Sequence, residues 1–279
     1  MIRGIYTGAC GMLINEMRQG ITANNLANID TTGFKKDVAV FSMEPNNQIH
    51  RINDKEQVGR EKFVERSKYI GDMGTGAVIA DMYVSKKEGE LKITNNPTDM
   101  AITGDGYFSV ETPGGVKYTR AGNFAVNREG FLVDQNGNFV LGLDQTAAKE
   151  LTPGTVIAEG VGYGRIKVDP EIPVNAGDDG IIYQGNQFIS KLMIGKFQNS
   201  NQIVKSGNNL MGPVGENSVT IADEVRVHGG ALESSNVNSV YEMVNMIELQ
   251  RSYEMNQKVI LTHDEMLQKS INSVGRLTA

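Results

Sequence analysis

The sequence predicts an α+β fold: long N- and C-terminal α-helices packing as a coiled-coil stalk, with a central antiparallel β-rich domain between them. Three observations predict it. Apolar residues at both ends recur at alternating steps of three and four, the spacing of a heptad seam. The middle is a series of short strand-like runs separated by many of the chain's 32 glycines, which marks turn-rich β structure. Strand and helix patterns do not alternate, so a parallel nucleotide-binding sheet is not expected.

At the C-terminus, Met243, Met246, Gln250, Tyr253, Gln257, Ile260, Asp264, Leu267, Ile271 and Val274 follow the seam, with Val240, Val244 and Ile247 beside them. No Pro or Gly interrupts it before Gly275, and Asn236 or Asn238 can cap its start. Such a helix is roughly 55 Å long, more than an ordinary globular domain covers. Gln250, Gln257 and Asp264 occupy seam positions where a self-sufficient coiled coil carries Leu or Ile, and polar seam residues weaken pairing while fixing register. Two readings stay open on length alone: a helix lying on its own domain, or one completed by neighbouring subunits.

At the N-terminus, Ile2, Ile5, Ala9, Met12, Glu16, Gln19, Ala23 and Leu26 step in the same way and turn polar in the middle. The stop signal is Asp30-Thr31-Thr32-Gly33 after Asn28, where Gly33 can take a positive φ. Residues 34–76 are charged and irregular, which reads either as an extended linker arm or as a segment ordered only against another chain, with a short strand near Val38 at its start. From Ala77 the strand signals accumulate: Ala77–Val84, Met100–Thr103, Gly106–Val110 and Val116–Thr119, the last two flanking a Pro113-Gly114-Gly115 turn. A second hairpin is expected around Asn136-Gly137. Looser strands follow at Thr155–Ile157, Arg165–Val168, Gly180–Tyr183, Lys191–Phe197 and Ser218–Ile221.

Composition excludes more than it assigns. The net charge of −6 and the lack of a dense Lys/Arg cluster argue against nucleic acid as a partner. A single cysteine, Cys10, allows no intrachain disulfide. No apolar run is long enough to span a bilayer, and the N-terminus lacks the pattern of a cleaved signal peptide, so composition alone points to the cytoplasm. His50, His228 and His263 lie far apart with no metal-ligand spacing. Gly71–Gly76 lacks the Gly-Lys-Ser/Thr of a phosphate loop, and Asp134–Asn138 is a hairpin turn rather than a calcium loop. No nucleophile or paired-carboxylate motif is present. No catalytic residue, cofactor or metal is expected.

Three stretches carry a resemblance. Ala23-Asn24-Asn25-Leu26-Ala27-Asn28-Ile29-Asp30-Thr31-Thr32-Gly33-Phe34-Lys35 resembles the N-terminal signature of bacterial flagellar basal-body rod and hook proteins. Gly104-Asp105-Gly106-Tyr107-Phe108 with Tyr118-Thr119-Arg120-Ala121-Gly122-Asn123-Phe124 resembles their core β-domain. Leu232-Glu233-Ser234-Ser235-Asn236-Val237-Asn238, continuing to Glu242–Ile247 and Gln250–Glu254, resembles their closing helix. The opening Met1–Gly8 is most like the proximal-rod member, with the distal-rod member next.

The resemblance implies a non-enzymatic structural subunit that self-assembles helically through its terminal helices and transmits torque from motor to hook. Residues 1–33 and 236–279 would form the inner-tube coiled-coil domain, 34–76 the linker arm, and 77–235 the β-rich domain with an insertion at about 143–187. Its partners would be copies of itself, other rod proteins and the flagellar export apparatus, with no nucleic acid and no membrane insertion. Export without a cleaved signal peptide would place it in the basal-body rod crossing the periplasm, against the cytoplasmic reading. Ile5, Met12, Leu26, Val240, Val244, Ile247 and Ile260 are the expected packing residues. Asn24, Asn25, Leu26, Asn28, Gly33, Phe34, Asn236 and Asn238 are the motif positions, the asparagines fixing the helix ends. The competing readings are a soluble coiled-coil adaptor and a hydrolase fused to a rod module.

Overall fold

The computed structural model describes residues 2–43, 47–51, 55–57, 63–65, 68–74, 76–144, 162–199, 203–213, 219–222 and 225–276. The chain divides into two compact units. One holds Met1–Ala23, Ala39–Met82 and Val240–Ala279; the other holds Asn24–Val38 and Tyr83–Ser239.

The first unit is built on helix α1 (Ile2–Ala27) and the 38-residue helix α2 (Ser239–Arg276). The segment between them in sequence opens with the strands β1 (Asp37–Met43), β2 (Asn47–Arg51), β3 (Lys55–Gln57), β4 (Phe63–Glu65), β5 (Lys68–Met73) and β6 (Ala77–Val84). They form three two-stranded pieces, β1 with β6, β2 with β5 and β3 with β4. A register shift between Ile49 and His50 interrupts the β2–β5 pair. The stretch expected as a linker arm is therefore a series of ribbons where it is described.

The fold class expected from the sequence needs a correction at its stalk. Two long terminal helices and a β-rich middle are present, but the helices are not joined as a coiled coil. In a coiled coil, apolar knobs at the seam fill holes on the partner helix. Here α1 meets α2 antiparallel through Gly4, Gly8, Gly11 and Asn15. A Cβ added at Gly4 would strike the His263 ring, one at Gly8 would lie 3.0 Å from Ile260, and one at Gly11 would lie 2.8 Å from Asn256 Nδ2. Asn15 Nδ2 donates to Ser252 Oγ at 2.9 Å. The physical reason is that absent side chains let two backbones approach, and short polar tips close the gap. Of the apolar stripe read from the sequence, Ile260 lies at this contact, whereas Val240 remains 65% exposed.

The second unit contains the strands β7 (Leu91–Ile93), β8 (Met100–Thr103), β9 (Tyr107–Thr112), β10 (Gly115–Thr119), β11 (Ala125–Val126), β12 (Leu132–Val133) and β13 (Phe139–Leu143). It continues with β14 (Tyr163–Arg165), β15 (Val174–Ala176), β16 (Ile181–Gln184), β17 (Gln187–Leu192), β18 (Ile194–Phe197), β19 (Ile203–Lys205) and β20 (Met211–Pro213). β21 (Val219–Ile221), β22 (Arg226–Gly229) and β23 (Ala231–Glu233) complete it.

Thirteen of these strands join one sheet in the path β15-β16-β17-β13-β9-β10-β20-β19, with β11, β12, β14, β18 and β21 attached to its flanks. Its strand pairings are antiparallel. β9 is central because Phe108, Ser109 and Val110 are all buried, so both of its faces are covered. β10 pairs with it as the Pro113-Gly114 turn requires, Gly115 opposite Thr112. The Asn136-Gly137 turn is tied by Asp134, whose Oδ1 accepts from the backbone N–H of Asn136 and of Asn138, each at 2.8 Å. β14 to β16 lie in the stretch expected as an insertion, and they pair into the large sheet. Thr155–Ile157 and Ser218 lie outside the described residues.

Two short pairs stand beside the sheet, β22 with β8 and β23 with β7. The main core gathers Met100, Ile102, Phe108, Val110, Phe124, Leu132 and Val140, with Phe108 edge-on to Phe124 at 5.0 Å. A second core packs Val84, Tyr118, Phe197, Ile203, Met211 and Val219.

Burial in that second core pushes the Tyr118 phenol up to about 12, because a phenolate there would lose its hydration. The raised pKa gives a sign. The contribution, roughly 2–3 kcal/mol, is fully present below the ordinary phenol value of 10.0 and is lost as pH rises through about 12. Denaturant midpoints followed from neutral to alkaline pH should fall in this window, and Tyr118→Phe should flatten the fall.

Candidate functional site

Two features stand out, one on the helices of the first unit and one within the second unit.

On the helices, Gly4, Gly8, Gly11 and Asn15 of α1 meet His263, Ile260, Asn256 and Ser252 of α2, while many large apolar residues are exposed. Leu13 and Met17 on α1 are exposed, as are Val240, Met243, Val244, Ile247, Met255, Leu261, Met266 and Ile271 on α2. Of the expected packing residues, Val240, Val244 and Ile247 are thus exposed. Ile5, Met12, Leu26 and Ile260 are half-buried, Ile260 against Gly8. On the free chain, then, an uncovered apolar surface runs along both helices. Surfaces of this kind mark interaction sites.

In the second unit, the three segments that carry the resemblance meet at one buried carboxylate. Glu233, the last residue of β23, is 1% exposed. Its Oε1 accepts from Lys35 Nζ at 2.5 Å and from the Gly89 N–H at 2.9 Å. Its Oε2 accepts from Arg120 Nη1 at 3.3 Å. Its main-chain oxygen accepts from the Gly33 N–H at 2.7 Å. Lys35 is 1% exposed and Arg120 3%. Lys35 also donates to the Lys87 carbonyl at 2.9 Å. Arg120 donates to the carbonyls of Ile102, at 3.0 Å, and Gly104, and its guanidinium stacks over Tyr107 at 5.1 Å. Burial pulls the Lys35 ammonium below the usual lysine range, and the charge and hydrogen bond of Glu233 oppose that shift.

The motif residues surround this hub. Gly33 holds φ at +65°, and a Cβ there would strike the Arg120 backbone; glycine is required both for the turn and for the close approach. Asn25, buried in the last turn of α1, exchanges two hydrogen bonds with the Asp37 backbone at 2.9 and 3.0 Å. Asn28 Nδ2 donates to the Asn24 carbonyl at 2.8 Å, and Asn28 Oδ1 accepts from Thr31. Asn236 lies three residues ahead of α2, where its Oδ1 accepts from the Lys36 N–H and its Nδ2 donates to the Lys87 carbonyl, both at 2.8 Å. Asn238 is exposed, immediately before the first residue of α2.

Phe34 is buried beneath Lys205, whose Nζ lies 3.9 Å from the ring centroid. That ammonium pairs with Asp37 at 2.8 Å and donates to the Lys35 carbonyl at 2.6 Å. Burial lowers its pKa, against the attraction of Asp37. Asn209 Nδ2 ties the Thr32 carbonyl at 2.7 Å.

Sequence reasoning quoted Lys35, Arg120 and Glu233 within motifs without assigning them a role, and it missed Lys205 and Asn209. The available signal was one carboxylate and two cations embedded in otherwise turn-like strings. The arrangement holds chain segments together; it presents no nucleophile–base pair. Among the described residues, no three His, Cys, Asp or Glu side chains are grouped to hold a metal ion. No described helix is long and apolar enough to cross a membrane.

Three family models match along the chain. They are the flagella basal body rod protein over residues 5–35, the flagellar hook protein FlgE/F/G D1 domain over 101–184, and the flagellar basal body rod FlgEFG protein C-terminal region over 228–273. Among relatives, the flagellar basal-body rod protein FlgF of Caulobacter vibrioides is 30% identical, covering 99% of this chain and 100% of its own. The flagellar basal-body rod protein FlgG of Bacillus subtilis is 32% identical, covering 98% and 99%. FlgG of Buchnera aphidicola subsp. Baizongia pistaciae is 31% identical, covering 96% and 98%.

Glu233→Ala should be the most damaging single change at the hub, since it strands two buried cations without a counter-charge. A loss of roughly 3–5 kcal/mol is expected, read as a lower urea midpoint, with Glu233→Gln intermediate because it keeps the hydrogen-bond acceptor.

Proposed function

The chain belongs to the flagellar basal-body rod protein family, and from that premise we propose that it works by stacking its exposed helical faces against copies of itself and against other rod proteins. It is a structural subunit of the flagellar basal body. The carrying observation is that α1 offers three glycines and Asn15 to His263, Ile260, Asn256 and Ser252 of α2, while Leu13, Met17, Val240, Val244 and Ile247 are left exposed. Apolar area left uncovered by the chain's own fold contributes its burial energy only when a neighbour covers it.

A subunit that contributes one face and receives on another makes head-to-tail contacts, and contacts that do not close propagate as a helical tube. The helices then belong to the inner wall, residues 77–235 to the outer wall, and torque passes from motor to hook through many small interfaces. No catalytic step is part of this role. Passage through the flagellar export apparatus and a position in the periplasm follow from the same reading. Relatives bearing two different rod names match at 30–32% identity, so the proximal-rod assignment rests on the resemblance of the opening residues, with the distal rod next.

Purified protein at rising concentration should form open tubes or fibres by electron microscopy. Discrete complexes of fixed size would favour an adaptor instead. Val244→Glu with Ile247→Glu should change the unfolding midpoint little, because both residues are already about half exposed, at 48% and 53%. The critical concentration for assembly should rise at least tenfold, about 1.4 kcal/mol. A chain of residues 24–239 should stay monomeric at every concentration.

A further inference from the structure

We propose that the buried Lys35–Glu233–Arg120 cluster is an alignment device: it fixes the register in which both ends of the chain leave the β structure, and Lys35 serves that register rather than net stability. The proposal goes beyond the rod reading, since it concerns the unassembled chain.

Three observations carry it. First, the cluster is electrically unbalanced, with two cations against one carboxylate, all three side chains at least 97% buried. A charge-neutral pair of Arg120 and Glu233 would cost less to bury than this set. Second, every oxygen of Glu233 is committed in a different direction: Oε1 to Lys35 and Gly89, Oε2 to Arg120, and the main-chain oxygen to Gly33. A one-residue slip of β23 against β7 would turn Glu233 to the opposite face and leave both cations unpaired, so a single register satisfies the set.

Third, the same two segments are cross-tied by three directional hydrogen bonds. Gly33 N–H reaches Glu233, Lys36 N–H reaches Asn236 Oδ1, and Asn236 N–H reaches the Phe34 carbonyl. Directional bonds of this kind specify a geometry, whereas an apolar contact of the same area would tolerate several. Lys35 stands at the junction, since its ammonium links Glu233 on the outgoing end to the Lys87 carbonyl. That carbonyl also receives Asn236.

Lys35→Met separates alignment from stability. It leaves Arg120 and Glu233 as a one-to-one pair, and the Lys87 carbonyl keeps its Asn236 donor. The expected result is a urea midpoint at or above that of the parent. Amide hydrogen exchange at Gly33 and Lys36 should at the same time speed up at least tenfold, while amides of the central strand β9 keep their protection. Exchange is read on the unassembled protein, so failure of the rod reading would appear only in the assembly experiment. A midpoint that falls together with protection at all of these amides, or protection at Gly33 and Lys36 that does not change, would overturn the proposal.

Discussion

A single carboxylate governs how this chain is put together. Glu233 sits at the end of a three-residue strand, yet it gathers the segment leaving the first helix, the residue following β10 and the loop before β7. Each partner arrives from a different part of the sequence, and none of the three charged side chains has access to water. Burying such a set is unfavourable unless all of its bonds form together. The hub therefore behaves as one element, and Lys205 with Asp37 and Phe34 forms a second tie on the same exit segment.

The helices follow an opposite economy. Where they touch, side chains are removed or shortened, so the contact is close but buries little apolar area. Most of their large apolar side chains are exposed, with Ile260 against Gly8 and the buried Leu249 among the exceptions. A monomer built this way is held together at its helices by geometry more than by the hydrophobic effect, which stays available for association.

This division explains what could and could not be read in the sequence. Both helices were legible because their apolar periodicity runs without Pro, and the β9–β10 hairpin because Pro113-Gly114 leaves few alternatives. The helix–helix face was not legible. Apolar periodicity weights Val, Ile and Met, and much of the stripe it marks is exposed; the stripe of Gly4, Gly8, Gly11 and Asn15 at the contact has no hydrophobic signature. The stretch 34–76 reads as irregular because its strands β3 and β4 are only three residues long and the sequence is charged, too short for period-two alternation to show. The hub was half-visible: Gly33, Asn25 and Asn236 were singled out as motif positions, but a buried ion cluster joins residues too distant in sequence for any local pattern to reveal.

That distance has a kinetic meaning. Lys35 and Glu233 are separated by 198 positions and Arg120 and Glu233 by 113, so the contacts that close the β structure are among the most non-local the chain can make. High contact order slows folding. Until the last fifth of the polypeptide is in place, Lys35 and Arg120 lack their shared counter-ion, so the hub closes late.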